Sequence, residues 1–248
     1  FSSEDIKREK DFQNAIDDNK IKAIWCARGG YGAMRIIDNI NYENLLKYPK
    51  WVIGYSDITA IHNEIHNLGV ESLHGVMCKS LEDISLEDDS IKKLKDIIFG
   101  GGELSYIIEG NKYNIPGIAS GKLVGGNLTL LQSLLQSKSS IDTTNKIIFI
   151  EEVGEYLYHI DRMMMNLKRN GKLYNLAGLI IGGMSDMNDN TIPFGKNATE
   201  IIAETVSEYD YPVAFNFPAG HIKNNNTILL GQTAKLAITI NNSSLTFY

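Results

Sequence analysis

Short apolar runs that end in glycine or polar residues and lead into helix-forming segments constrain the fold of this chain most strongly. The run "IKAIWCA" (21–27) ends at "RGGYG", and the run "WVIG" (51–54) ends at Tyr55, Ser56 and Asp57 before a segment typical of a helix. Apolar strands that alternate with helices are typical of an open parallel sheet covered on both faces. Ligands of such sheets bind where the strands end. The sequence therefore predicts an α/β fold with "RGGYG" and "GYSD" at its functional edge.

The chain divides into two predicted α/β halves. Residues 1–100 predict a flavodoxin-like parallel-sheet domain, with a helix from about Ala33 and a charged amphipathic helix over 86–99. Residues 101–118 are rich in glycine and predict a linker. Residues 119–248 predict a β-rich α/β domain that opens with a turn at "GKLVGGN".

Composition excludes several classes of partner. The net charge of −6 argues against the basic face that a nucleic acid requires. The most apolar stretch, "LAGLIIGGM" (176–184), is too short to span a bilayer. The two cysteines, Cys26 and Cys78, do not form a disulfide framework, and we expect Cys26 to be a buried thiol. We therefore expect a protein that binds neither nucleic acid nor membrane.

Ser56 stands where a nucleophile projects from a sharp strand–turn–helix junction. The pattern G-x-S-x-G is not met, because Ile58 occupies the second glycine position. A surface turn also explains a serine between glycine and aspartate, since all three residue types favour turns. Ser56 alone leaves both interpretations open.

A serine nucleophile needs a base and a carboxylate that orients it. His221 follows Gly220 on a loop between two predicted strands, and Glu151 and Glu152 follow the apolar run "KIIFI", with Glu155 close behind. The chain order serine, glutamate, histidine is thus complete. A turn histidine that bonds local backbone, and glutamates that charge a helix N-terminus, are the alternatives.

The other histidines give weaker signals. His62 and His66 lie in "HNEIH", in which the glutamate is misplaced for the zinc motif H-E-x-x-H, so we predict a plain polar helix face and no metal. His74 either lines a cleft or makes a structural hydrogen bond. His159 is expected to be a solvated or packed side chain of a helix.

Seven segments in order resemble the L,D-carboxypeptidase family of serine peptidases, which also includes microcin C self-immunity peptidases. The segments cover most of the chain: "AIWCARGGYGAMRIID", "VIGYSDITAIH", "SLHGVM", "GKLVGGNLTLLQSLL", "IIFIEEVGEYLYHIDRMMMNLKRNGKL", "GLIIGGMSDM" and "FPAGHIKNNNTILLGQTAKL". Two departures are "HGV" in place of H-G-P, and Gln136-Ser137 in place of Gly-Thr. The chain starts at Phe1 rather than Met, and the family's leading strand and helix are expected to be missing before it, which would leave the first sheet without its first strand.

The resemblance implies a role for each candidate residue. Ser56 would be the nucleophile, His221 the general base and Glu151 the orienting acid. Only one of Glu151 and Glu152 can face His221, because neighbouring side chains on a strand point to opposite faces. The backbone N–H groups of Gly30 and Asp57 would form the oxyanion hole. A phosphate cradle at "RGGYG" is the rival interpretation, but this loop lacks the usual lysine and Ser/Thr.

The resemblance also implies the reaction. It implies hydrolysis of the L,D amide bond that releases terminal D-Ala from murein tetrapeptides, in cytoplasmic cell-wall recycling, by a homodimer that needs no cofactor and no metal. Arg28 is a candidate for the D-Ala carboxylate, since arginine binds carboxylates bidentately; a structural ion pair explains it equally. The alternatives are hydrolysis of a peptidyl-nucleotide antibiotic and a non-catalytic muropeptide-binding module.

Overall fold

The computed structural model describes residues 2–100, 104–239 and 243–248. Within these residues the chain forms α-helices and short 3-10 turns around two β-sheets. No helix in these residues combines the length and apolarity that a bilayer span requires. The helices are α1 (Asp5–Asp17), α2 (Glu43–Lys47), α3 (Thr59–Asn67), α4 (Asp89–Phe99), α5 (Leu128–Ser133), α6 (Leu157–Arg169) and α7 (Ala198–Val206).

The strands are short in the first half and longer in the second. They are β1 (Ala23–Trp25), β2 (Trp51–Gly54), β3 (Ser72–His74), β4 (Ser105–Ile108), β5 (Gly117–Asn127), β6 (Ile147–Val153), β7 (Gly178–Ser185), β8 (Val213–Ala214), β9 (Ile228–Leu230), β10 (Thr233–Ile238) and β11 (Ser243–Phe247).

The first sheet has the strand order β1-β2-β3-β9. Its first three strands are parallel, and β9 joins the β3 edge in antiparallel orientation. Because α3 is buried against the sheet, β2 and β3 consist almost wholly of buried residues, as expected of parallel strands covered on both faces. The predicted α/β fold with a parallel first sheet is confirmed.

The second sheet has the order β4-β11-β10-β5-β6-β7-β8, with parallel pairs from β5 to β8 and antiparallel pairs from β4 to β5. The buried run Ile147–Ile150 lies in β6, which is enclosed between β5 and β7. Helix α6 packs on this sheet through Ile160, Met163, Met164 and Leu167, which lie on one face at helical spacing.

One hydrophobic core connects the two sheets. Ile53 of β2 and Leu73 of β3 belong to the same buried cluster as Phe149 of β6 and Phe217. Side chains of the first and second sheets therefore pack into one shared core.

Three local predictions differ from the structure: a helix, a turn and the linker. The helix expected from about Ala33 is replaced by two 3-10 turns over 33–39, a segment whose isoleucines lower its helix propensity. The expected turn "GKLVGGN" is instead the end of β5, where Gly125 and Gly126 adopt positive φ within an extended segment.

The predicted linker 101–118 contains a strand, β4, which pairs with β11. Residues 101–103 of the predicted linker lie outside the described residues. Strand β9 comes from the second half of the chain and yet completes the first sheet. Two segments therefore do not follow the predicted division at 101–118, and the domain boundaries stay a prediction.

The glycine pair of β5 packs closely on two sides, against α3 of the first half and against the neighbouring strand β6. A Cβ atom on Gly126 would stand 2.5 Å from Thr59 Oγ1 of α3, and that hydroxyl accepts a 3.0 Å hydrogen bond from the Asn127 N–H. On the other side, a Cβ on Gly125 would overlap the carbonyl oxygen of Phe149. Only glycines allow this approach, which the φ values of 124° and 142° also require.

We expect Gly125→Ala to destabilise the fold by at least about 3 kcal/mol, because it adds backbone overlap to an unfavourable φ. Gly69→Ala is the matched control: Gly69 also has positive φ, but its Cβ would meet no atom within 4 Å, so its cost should be about 1 kcal/mol. Urea unfolding followed by circular dichroism measures both. Equal losses of unfolding free energy would show that the close approach contributes nothing.

Candidate active site

Ser56 stands on a strained turn between β2 and α3. Its φ is +64°, a left-handed conformation that a serine adopts at a cost, while Tyr55 before it is extended. A 3-10 turn over Ser56–Ile58 then leads directly into α3. This is the geometry of a nucleophile elbow, in which the side chain projects above the sheet edge.

Buried contacts beneath Ser56 hold the elbow in place. The ring of His62 in α3 donates from Nε2 to the Gly54 carbonyl at 2.9 Å, and burial lowers the pKa of His62 to about 4, so the ring is neutral. Gly54 also packs closely, since a Cβ there would lie 3.0 Å from Ile58 and 3.2 Å from Cys26. The predicted polar face at "HNEIH" is therefore wrong: His62 and His66 lie on a buried helix.

The "RGGYG" segment runs beside the elbow. A Cβ on Gly29 would lie 2.7 Å from the Ser56 Cβ and 3.1 Å from its Oγ, so only glycine leaves room for the hydroxyl. Gly30 follows with a φ of +70°. The buried Asp57 carboxylate reaches the same segment and accepts a 2.7 Å hydrogen bond from the Ala33 N–H. The structure thus brings Gly30 and Asp57, the two predicted oxyanion donors, to one place.

Glu151 and His221 form a buried pair at the end of β6. Glu151 Oε2 accepts hydrogen bonds from the His221 backbone N–H (3.1 Å) and from the ring Nδ1 (2.6 Å). The Glu151 side chain is fully buried, and that of His221 is 18% exposed. Because Nδ1 donates to a carboxylate, Nε2 is the nitrogen of the neutral ring that can take up a proton.

Glu152 points to the opposite side of β6. Its Oε1 accepts from Asn127 Nδ2 at 2.9 Å, and its Oε2 accepts from the Thr129 N–H at 2.7 Å, in the first turn of α5. Burial raises the pKa of Glu152, although these hydrogen bonds oppose the shift. The two neighbouring glutamates therefore lie on opposite faces: Glu151 binds the His221 loop, and Glu152 binds the start of a helix.

The His221 loop is fixed at several points beyond Glu151. Ser185 Oγ donates to the His221 carbonyl at 2.6 Å, and the Gly183 N–H donates to the Ala219 carbonyl at 2.9 Å. Asn225 Oδ1 accepts from the Gly220 N–H at 2.8 Å. These bonds tie the loop to the end of β7 and restrict where the imidazole can point.

An aromatic wall lies behind His221. The Tyr55 ring centroid is 4.8 Å from that of His221 and 5.8 Å from that of His74, and His74 contacts Phe149 edge-on at 5.0 Å. His74 is fully buried, and neither ring nitrogen has a hydrogen-bond partner among the described residues. The predicted structural hydrogen bond of His74 is therefore absent there. Burial holds the pKa of His74 well below its ordinary value, and the wall is uncharged.

The contact between Tyr55 and His221 brings the elbow and the imidazole together, across the two sheets. No hydrogen bond joins the Ser56 hydroxyl to His221 within the part of the chain that the structure describes. Such catalytic contacts are often long until a substrate is bound.

Arg28 is exposed at the end of β1, next to Gly29. It lines a cavity of about 620 Å³ that is also lined by Gly30 and Asp57, whereas Ser56, Glu151 and His221 do not line it. The cavity therefore adjoins the Ser56 elbow but is not lined by the Ser56, Glu151 and His221 side chains. Across residues 2–100, 104–239 and 243–248, no group of three His, Cys, Asp or Glu side chains could hold a metal ion.

Comparison with known proteins places this site in a family. Models of the LD-carboxypeptidase N-terminal and C-terminal domains match residues 1–75 and 120–236. A Bacillus subtilis protein named "Probable murein peptide carboxypeptidase" is 34% identical over 245 residues, which are 95% of this chain and 75% of that protein. This chain belongs to the LD-carboxypeptidase family. A second member, the murein tetrapeptide carboxypeptidase of Pseudomonas aeruginosa, is 25% identical over 93% of this chain and 77% of its own length.

Solved structures share the fold of this LD-carboxypeptidase family member. The muramoyltetrapeptide carboxypeptidase of Oxalobacter formigenes superposes with a TM-score of 0.91 at 24% identity, covering 100% of this chain and 84% of that one. The structure of MccF in complex with glutamyl sulfamoyl guanosine has a TM-score of 0.86 at 19% identity, covering 99% and 82%. At these identities the likeness concerns the fold alone, and it confirms the α/β architecture. The expectation of a hydrolytic enzyme of this family is also confirmed.

Sequence reasoning missed the residues that support the imidazole. Tyr55 and Ser185 were not singled out. Tyr55 directly follows β2, and Ser185 is the last residue of β7, so both lie at the functional edge. The position of Tyr55 next to the elbow was the available signal. Ser185 gave none, because its role depends on the path of a loop more than thirty residues away.

The electrostatics of the pair lead to a measurable pKa. Burial opposes protonation of His221, but the hydrogen bond and charge of Glu151, with the charge of Glu152, outweigh it and raise the pKa of His221 above its ordinary value. Glu151→Gln removes the charge and keeps the shape, so burial should then dominate and the pKa should fall. NMR titration of the His221 ring measures both proteins. An unchanged pKa in Glu151→Gln would contradict the pairing.

Proposed function

We propose that this protein is a serine-type L,D-carboxypeptidase that releases terminal D-Ala from murein tetrapeptides through Ser56, His221 and Glu151. The observation that carries the proposal is the double hydrogen bond from His221 to the buried Glu151, with the His221 ring packed beside the strained Ser56 elbow. A carboxylate that holds an imidazole in one tautomer next to a projecting hydroxyl is the arrangement of a catalytic triad. The names of the murein peptide relatives support the substrate class.

The chemistry follows from the pair. His221 Nε2 takes the proton of the Ser56 hydroxyl while Oγ attacks the carbonyl carbon of the L,D amide. The imidazolium that forms is stabilised by Glu151 through the Nδ1 hydrogen bond. When the tetrahedral intermediate collapses, the C–N bond breaks and His221 returns the proton to the amine of D-Ala. Water then hydrolyses the acyl-serine ester by the same proton transfers, and Ser56 is regenerated.

The negative charge of the intermediate needs donors that are already in place. The backbone N–H groups of Asp57 and Gly30 are proposed for this role, because the elbow and the glycine segment meet beside the Ser56 hydroxyl. Donors fixed before the reaction stabilise the developing oxyanion without reorganisation, and each contributes about a hundredfold or more to kcat.

Arg28 is proposed as the anchor of the D-Ala carboxylate. It forms no ion pair or hydrogen bond with any described residue, and it stands at the end of the strand that leads to the glycine segment. A cytoplasmic location, a homodimer and the absence of a cofactor or metal belong to the same proposal; the family resemblance is what supports them.

Hydrolysis of a peptidyl-nucleotide is the competing activity. The MccF structures share the fold, but they are only 19% identical to this chain. Their ligands therefore do not carry over to it. The relatives of higher identity carry murein peptide names, and for that reason the murein substrate is preferred.

Variants of the three residues test the triad. Ser56→Ala should lower kcat by at least about a thousandfold. Glu151→Gln should lower kcat by about a hundredfold or more, because the imidazolium loses its counter-charge, whereas Glu152→Gln should stay within about tenfold of the native rate. Steady-state kinetics on a murein tetrapeptide measures all three. A larger loss in Glu152→Gln would reverse the roles of the two glutamates, and a folded, active Ser56→Ala protein would rule out the triad.

Competition among substrates tests the specificity. The enzyme should release D-Ala from a tetrapeptide that ends in an L,D bond and should spare the D,D bond of the pentapeptide, because inverting the acyl-side residue turns its side chain away from its pocket. Products of a mixture of tetrapeptide, pentapeptide and peptidyl-adenylate analogue are separated by chromatography. Preferred cleavage of the adenylate analogue would assign the nucleotide substrate, and inertness toward all three would favour a binding module.

A further inference from the structure

A single peptide group in the "RGGYG" segment is held at both of its polar atoms. The Asp57 carboxylate accepts the N–H of Ala33 at 2.7 Å, and Arg8 of α1 donates from Nη1 to the carbonyl of Gly32 at 3.1 Å. These two atoms belong to the same peptide bond, between Gly32 and Ala33. Two charged side chains, from opposite sides of the segment, therefore fix its position and its tilt.

The Asp57 side chain is committed to this contact. Asp57 is 6% exposed, and its carboxylate lies in the interior beside the first turn after the glycines. Burial raises the pKa of Asp57, while the hydrogen bond from Ala33 and the charge of Arg8 act in the opposite direction and favour the ionised form. A buried carboxylate left unpaired would be strongly destabilising, so this bond is retained whenever the site is folded.

The segment has little intrinsic rigidity. Gly30 and Gly32 have φ values of +70° and +112°, conformations that glycine adopts readily and also leaves readily. The two proposed oxyanion donors come from different segments, one from Asp57 on the elbow and one from Gly30 on the glycine segment. Their separation is thus not fixed by either segment alone.

We propose that the Asp57 side chain is a positioning residue that, together with Arg8, sets the spacing of the two oxyanion donors by clamping the Gly32–Ala33 peptide. The same residue then supplies one donor through its own backbone and fixes the other through its side chain. This inference rests on the proposed function, because it assumes that Gly30 and Asp57 bind the oxyanion. Its consequence is specific: the clamp acts on the transition state and leaves binding of the uncleaved substrate unaffected.

Kinetics of side-chain variants test the clamp. Asp57→Ala keeps the backbone donor but removes the bond to Ala33, so kcat on a murein tetrapeptide should fall about a hundredfold while KM changes by less than about threefold. Asp57→Asn retains an oxygen that can accept the Ala33 N–H and should recover kcat to within about tenfold of the native enzyme. A purely structural role would lower stability and would not separate kcat from KM in this way.

The Arg8 half of the clamp gives a second, independent readout. Arg8→Met should lower kcat about threefold to tenfold at unchanged KM, because it releases the Gly32 carbonyl, along with the Arg8–Asp5 ion pair, and leaves the Asp57 bond to Ala33 in place. Lys10→Met is the matched control, since Lys10 is an exposed cation on the same helix, and it should behave as the native enzyme. If Asp57→Ala does not fold, Arg8→Met and Asp57→Asn decide the question. A native kcat in Arg8→Met would overturn the clamp, and so would a loss of kcat larger than about a hundredfold in Asp57→Asn.

Binding without turnover separates this proposal from the proposed function. In the Ser56→Ala background, calorimetry should give the same tetrapeptide affinity with and without Asp57→Ala. A weaker affinity in the double variant would show that Asp57 acts in ground-state binding and would overturn the clamp, while the triad would stand. Full activity in Ser56→Ala alone would instead remove the proposed function.

Discussion

The contact between Gly126 of β5 and Thr59 of α3 is the constraint on which the site depends. Ser56 belongs to the first sheet, and Glu151 belongs to the second, so their relation is only as rigid as the junction of the two sheets. Gly126 and the Asn127 N–H contact Thr59, three residues after Ser56, and Asn127 also binds Glu152 next to Glu151. The junction therefore lies next to Ser56 and to the neighbour of Glu151, and it adds to the shared hydrophobic core in fixing the two sheets against each other.

Burial also determines the division of charge in the cleft. His62 and His74 are held neutral by desolvation, whereas His221, although largely buried, is held protonatable by Glu151. Three histidines close to one elbow thus differ in the one property that a base requires. The difference comes from the partner that each ring has, a carbonyl, an aromatic wall or a carboxylate.

The sequence was sufficient to predict strands that consist of consecutive buried apolar residues. It did not predict features that depend on contacts with residues far away in the chain. The apolar runs of β2 and β6 were sufficient to place Ser56 and the glutamates at strand ends. The alternation of side chains along β6 showed that Glu151 and Glu152 must diverge, but not which of them faces His221, because that depends on the path of a loop seventy residues later. The stretch "GKLVGGN" was misinterpreted as a turn because glycine signals both turns and close approach of strands, and only the neighbouring Phe149 and Thr59 decide between them.

Strand β9 has a consequence for the order in which the chain can become an enzyme. Its pairing of Leu230 with Ser72 closes the edge of the first sheet with residues that follow β5 to β8 along the chain, directly after the loop that carries His221. During translation the β3 edge of the first sheet therefore stays unpaired until β9, in the second half of the chain, has been synthesised. Because β9 directly follows the His221 loop along the chain, the same segment that completes the first sheet also brings His221 to the elbow.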